Sequence, residues 1–171
     1  MTTRPEGRKP SPGHRALRKG RVSVENTAYF VTACTSESRP VFRDPACAHV
    51  MVEAVRWLRR SGRIWLLGYI VMPDHVHLAF ALREQQAPSR VIGVLKGFVA
   101  RRLGADFGVA RPVWQPGFQD RAIRDLRQAR AALAYIQDNP VRAGLCPNAQ
   151  EYPFSSANPP SSGEIDWWWL A

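Results

Sequence analysis

Apolar positions along the chain change period several times between residues 28 and 142, and each change marks an expected element. Ala28-Tyr29-Phe30-Val31-Thr32-Ala33-Cys34, rich in β-branched and aromatic side chains, predicts a first strand. Asp44-Pro45 then supplies an N-cap followed by proline at the first helical position. Cys47, Val50, Met51, Ala54, Val55 and Leu58 recur at helical spacing up to Gly62. Residues 65–72 predict a second strand, Pro73-Asp74 a tight turn and residues 75–82 a third strand, the two forming an antiparallel hairpin. A second helix opens at Pro88-Ser89, carries Val91, Val94, Leu95, Phe98, Val99 and Leu103 on one stripe, and is expected to end at Gly104. Residues 113–123 have mixed patterning around Pro116-Gly117 and fit either a short fourth strand or an irregular strap. Arg124-Asp125 leads into a third helix with the stripe Leu126, Ala129, Leu133 and Ile136. Asn139-Pro140 is expected to stop it, because proline disfavours helical geometry in the residue before it.

The order strand, helix, strand, strand, helix, strand, helix predicts an α+β fold: a ferredoxin-like antiparallel sheet with helices packed on one face. With 171 residues and 45% hydrophobic positions, the chain has material for one substantial core. Three stretches are expected: a flexible basic arm at 1–24, the folded domain at 25–157 and a tail at 158–171. The tail, with Pro159-Pro160 and then Trp167-Trp168-Trp169, has no period of its own. Three consecutive tryptophans imply docking on the body or, alternatively, stacking on a base.

Charge narrows the class. The formal net charge is +10, from 24 Lys plus Arg against 14 Asp plus Glu, and only Lys9, Lys19 and Lys96 are lysines. Arginine's planar fork matches phosphate oxygens, so the surplus points to nucleic acid; codon preference in a G- and C-rich genome is the plain alternative. Arg4, Arg8, Lys9, Arg15, Arg18, Lys19 and Arg21 stand against Glu6 alone in the Pro/Gly-punctuated leader, which has no apolar core of a signal peptide. It reads as a basic arm or a solvated tail. No run is long and apolar enough to cross a membrane, since residues 64–72 are of strand length. Cys34, Cys47 and Cys146 are odd in number and lack zinc-type spacing, which implies reduced thiols and a cytoplasmic location.

The candidate chemistry lies in Met72-Pro73-Asp74-His75-Val76-His77-Leu78. Strand alternation sends His75 and His77 out of one face, while Val76, Leu78, Phe80 and Leu82 point to the other. Two converging imidazoles can hold a divalent metal ion, or each can merely satisfy a local hydrogen bond. On the last helix, Tyr135 lies about 200° round from Leu133, off the apolar stripe, and Asn139 follows one turn later on the same side. That tyrosine either packs against another element or joins the carboxamide and the two histidines in one site.

Four segments in order carry a resemblance: Tyr29 to Thr32, Gly68 to Leu78, Trp114 to Arg124, and Tyr135-Ile136-Gln137-Asp138-Asn139-Pro140-Val141-Arg142-Ala143-Gly144-Leu145. Together, over roughly residues 28–156, they resemble the single-tyrosine HUH (IS200-like) transposases, and within them the REP-associated tyrosine transposases. The resemblance implies that His75, His77 and Asn139 bind Mg²⁺ or Mn²⁺ and that Tyr135 attacks DNA. It further implies a metal-dependent single-stranded DNA endonuclease and strand transferase acting on hairpin-forming, REP-like repeats in the nucleoid. Cleavage would leave a 5′-phosphotyrosine and a free 3′-OH, so a second strand could be rejoined without ATP. Asp74 stands where such proteins often have Asn, an acceptable exchange in a turn. Arg121, Arg124, Arg142, Lys96 and Trp114 are candidate DNA contacts. Nitrogen ligands make Mn²⁺ at least as suitable as Mg²⁺. Either a monomer or a homodimer fits. Two other readings stay open on the residues alone: a ferredoxin-like nucleic-acid binding module without chemistry, and a metal-dependent phosphoesterase that uses water.

Overall fold

Both edges of strand β1 (Ala28–Cys34) are paired: β3 (His75–Leu82) lies on one side and β4 (Gln119–Ile123) on the other, both antiparallel. β2 (Ile64–Val71) pairs with the outer edge of β3, giving the order β2-β3-β1-β4. The structure, a computed structural model, describes residues 27–170; the arm expected at 1–24 lies outside them. Helix α1 (Pro45–Arg60) joins β1 to β2, and α2 (Pro88–Phe107) joins β3 to β4. The βαββαβ order with this sheet is the ferredoxin-like α+β topology that the pattern predicts. α3 (Leu126–Arg142) follows it.

Local chemistry sets the helix starts. Ala46 N–H donates to the Asp44 carboxylate at 2.9 Å, and Gln128 N–H donates to Asp125 at 2.7 Å. Two helix ends differ from expectation. α2 runs through Gly104 and stops at Gly108, whose φ of 65° is left-handed and whose N–H reaches the Leu103 carbonyl. A glycine inside a helix only weakens it, whereas one at positive φ terminates it. α3 likewise runs through Pro140 to Arg142. Proline loses the bond to the Ile136 carbonyl, yet its φ suits a helix, and burial of Asn139 and Pro140 overrides the local preference. Ala143 N–H to the Asn139 carbonyl and Leu145 N–H to the Pro140 carbonyl close the last turn before Gly144 at φ 68°. The stretch from 113 resolves into an irregular strap, tied to the end of β1 through a Thr35–Trp114 bridge, and then β4.

Tyr29, Val31, Val76, Leu78 and Phe80 face α1 and α2, packing on Met51, Val55, Leu58, Leu95 and Val99. The arrangement with helices on one face holds for these two. α3 lies across the opposite face, where Ile70, Ala79, Ala81 and Ile123 receive Ala129, Ala132 and Ile136. Small residues make the approach possible: a Cβ built on Gly68 would stand 2.5 Å from Leu133 Cδ2. Gly68 lies at a register irregularity in β2, opposite Ala79. The histidine face of β3 is therefore the face that α3 covers.

The outer edge of β2 is not bare. Ser156 N–H donates to the Tyr69 carbonyl, Val71 N–H to the Phe154 carbonyl and Asp166 N–H to the Leu66 carbonyl, so the C-terminal segment occupies that edge. Among the described residues, no helix is long and apolar enough to cross a membrane.

Candidate active site

His75 and His77 project from the start of β3 with ring centroids 4.8 Å apart. Each spends its Nδ1 locally. The His75 Nδ1–H donates to Asp74 Oδ1 at 2.6 Å, and His77 Nδ1 pairs with Thr32 Oγ1 at 2.9 Å. Thr32 is the direct cross-strand partner of His77, so the β1–β3 register fixes that contact. Such outer partners set ring orientation, and with Nδ1 carrying the proton each ring presents its Nε2 lone pair to a metal. His77 Nε2 is buried and has no hydrogen-bond partner. An orphaned buried acceptor costs stability unless something binds it. The His77 ring is 4% exposed, and its pKa is lowered to about 4, chiefly by burial and then by the charges of His75 and Arg142. It is neutral at pH 7, the protonation state a metal ligand needs.

Tyr135 faces the pair. Its ring meets His77 edge-to-face at 5.1 Å and Phe30 at 5.8 Å, while 40% of the residue stays exposed. Phe30 is stacked on His77 at 5.3 Å, so the aromatic ring of β1 wedges the imidazole from one side. Asn139, one turn beyond Tyr135, is buried and shares a cleft of about 430 Å³ with Asp74 and His75. A second cleft of about 490 Å³ opens on the His77 side, lined by Thr32, Gln119, Arg121 and Tyr135. The structure thus brings His75, His77, Tyr135 and Asn139 to one region from β3 and α3. Running α3 past Pro140 also places the Arg142 guanidinium 4.8 Å from the Tyr135 ring centroid.

The donor set is two imidazoles plus a carboxamide. Among the described residues, no three or more His, Cys, Asp or Glu gather as a metal site. Two nitrogens and an amide oxygen nonetheless fit Mn²⁺ or Mg²⁺ with water completing the shell, and the partnerless His77 Nε2 suits such an ion.

The expected DNA contacts divide. Arg121 pairs with Phe30 across β1–β4 and holds its guanidinium 5.7 Å from that ring, beside the second cleft. Arg124 is exposed just past β4. Lys96 and Trp114 stand apart, towards the α2 side of the sheet. The Lys96 ammonium donates to the Gln115 carbonyl at 2.9 Å and to that of Gly117, and the Trp114 indole N–H donates to the Lys96 carbonyl at 3.1 Å. Trp114 is buried against Phe42 and has no open face for a base. Thr32, Phe30 and the Asp74 carboxylate are site residues that the sequence reading missed. The strand pairing that aligns Thr32 with His77 has no local sequence signal; the adjacency of Asp74 to His75 was the available clue.

The pattern of the family described as "Transposase IS200 like" matches residues 23–139. The chain belongs to the IS200-like transposase family. A REP-associated tyrosine transposase of Escherichia coli (strain K12) is 29% identical over 105 residues, spanning 60% of this transposase and 60% of that relative's length. A Haemophilus influenzae protein described in nearly the same terms is 27% identical over 159 residues, covering 85% and 83% of the two chains. The fold matches that of a REP-associated tyrosine transposase solved with a REP hairpin at a TM-score of 0.67. That match has 22% identity and covers 80% of this transposase and 79% of that chain.

Proposed function

We propose that this transposase cuts and rejoins single-stranded DNA beside a hairpin of the REP type, with Tyr135 as nucleophile and a divalent metal held by His75, His77 and Asn139. The observation that carries the reading is the contact of the half-exposed Tyr135 with His77, whose buried Nε2 has no partner. Mg²⁺ or Mn²⁺ bound there supplies Lewis-acid polarisation of the phosphate's non-bridging oxygens.

Tyr135 Oη attacks phosphorus: the P–Oη bond forms, the P–O3′ bond breaks and its electron pair stays with the 3′ oxygen. That oxygen gains a proton and becomes a 3′-OH, while the phenolic proton passes to water. The product is a 5′-phosphotyrosine, and because one phosphodiester replaces another, a second 3′-OH can reverse the step without a nucleotide cofactor. Arg121 and Arg142 flank the tyrosine as phosphate contacts. Phe30 and Thr32 hold His77, and Asp74 holds His75. A phenol carried on a helix face reaches a single strand more readily than the interior of a duplex, and the structural relative bound to a REP hairpin supports a hairpin substrate. The proposed site needs residues of one chain only and is compatible with either a monomer or a homodimer. An activity on chromosomal DNA would be exercised in the cytoplasm, at the nucleoid.

The decisive variant is Tyr135→Phe. It is expected to bind hairpin strands as the wild type does but to leave them uncut in Mn²⁺ on a denaturing gel. Cutting at the wild-type rate would transfer the chemistry to water and make this a phosphoesterase. No cutting by the wild type across the hairpins of its own genome would favour a binding module.

A further inference from the structure

The C-terminal segment is fastened to the edge of β2 by Ile165 and Asp166. Ile165 is buried in the α1–α2 core. The buried Asp166 carboxylate accepts Leu66 N–H at 2.8 Å and Arg59 Nε and Nη2 at 3.0 and 2.9 Å. Of the three tryptophans that follow, Trp169 packs against the α3-side core, whereas Trp167 is 50% and Trp168 55% exposed. Hydrophobic docking alone would bury the indoles first, since they are the largest apolar groups in the segment. Here two of the three indoles stay in solvent.

Those rings join others. Trp168 stands edge-to-face on Trp65, centroids 4.6 Å apart, and the Arg83 guanidinium lies 3.9 Å from the Trp65 ring centroid. Arg63 sits over the exposed Trp57 at 5.3 Å, and its carbonyl accepts Arg83 N–H, so the two arginines are neighbours along the backbone.

We infer that this indole and guanidinium surface is a stacking platform for single-stranded nucleic acid, separate from the Tyr135 site. Every base offers a π-face to an indole, and guanidinium groups meet both bases and phosphates, so the surface fits an unpaired strand of any sequence. The positive charge matches a polyanion, whereas an apolar protein face would leave these guanidinium groups without counter-charge. Trp65 pairs with Ala81, four residues along β3 from His77, or about 13 Å. A strand engaged at Tyr135 can reach it. The inference takes its ligand from the proposed activity on single-stranded DNA, but binding here is measured apart from cleavage.

The test titrates the full chain, without metal, into a fluorescently labelled oligothymidine strand and follows anisotropy. Trp168→Ala is expected to weaken binding about five-fold or more, as loss of one stacked base would, and to leave hairpin cleavage intact. Binding within about two-fold of wild type, in a variant that melts like wild type, overturns the inference. So does a variant that binds normally but sediments as a smaller species, since the surface would then join two copies. Should Trp168→Ala melt early, photocrosslinking of an iodouracil-substituted strand to the wild-type chain reads the same surface. Crosslinks on the peptides of Trp168 or Trp65 support the inference, and crosslinks confined to other peptides overturn it.

Discussion

Thr32 and His77 face each other across the β1–β3 ladder, and Thr32 Oγ1 lies 2.9 Å from His77 Nδ1. A threonine one strand away thus orients the ring whose Nε2 has no hydrogen-bond partner. Thr32→Val keeps the shape and removes the partner. Mn²⁺ affinity measured by calorimetry is expected to fall about 10- to 100-fold. Stability should drop by about 1–3 kcal/mol, because a buried ring nitrogen loses its hydrogen-bond partner. Unchanged Mn²⁺ affinity would show that the threonine does not orient the ring.

The His77 imidazole should titrate near pH 4 in the metal-free protein, followed by NMR of its ring protons. Its pKa is depressed from 6.5, so between those values the unfolded chain binds the proton and the folded chain does not. The stabilising effect of a neutral His77 is complete above about pH 6.5 and is lost as the pH falls towards 4. A midpoint near 6.5 would mean that the ring is hydrated.

Much of this site was legible because its parts obey local periods. Strand alternation set His75 and His77 on one face, and helical spacing set Tyr135 and Asn139 together on α3. What was hidden depends on long-range packing. Pro140 reads as a helix stop, yet burial carries α3 on to Arg142 and brings that guanidinium to Tyr135. The close approach at Gly68 was not read from the sequence, and only the fold shows that Leu133 makes it. Trp114 could stack on a base or pack as read from the sequence, and the fold buries it against Phe42.

α3 holds Tyr135 and Asn139 over the sheet through Ile136, which is fully buried between them. Ile136→Ala is expected to cost about 2–5 kcal/mol in urea unfolding. A loss below about 1 kcal/mol would mean that the helix is held elsewhere.

Mn²⁺ should support hairpin cutting at least as well as Mg²⁺, since two of the three proposed ligands are nitrogens. Chelation should abolish cutting, and readdition of Mn²⁺ should restore it. Full activity in excess chelator contradicts a metal role for His75 and His77.

The central claim is tested most directly by peptide mass spectrometry of the protein after reaction with a hairpin strand and Mn²⁺. The account predicts a DNA fragment joined through its 5′ phosphate to the peptide containing Tyr135, with a free 3′-OH on the other fragment. Cleavage that releases a 5′-phosphate without any protein adduct, or an adduct on another residue, would contradict it.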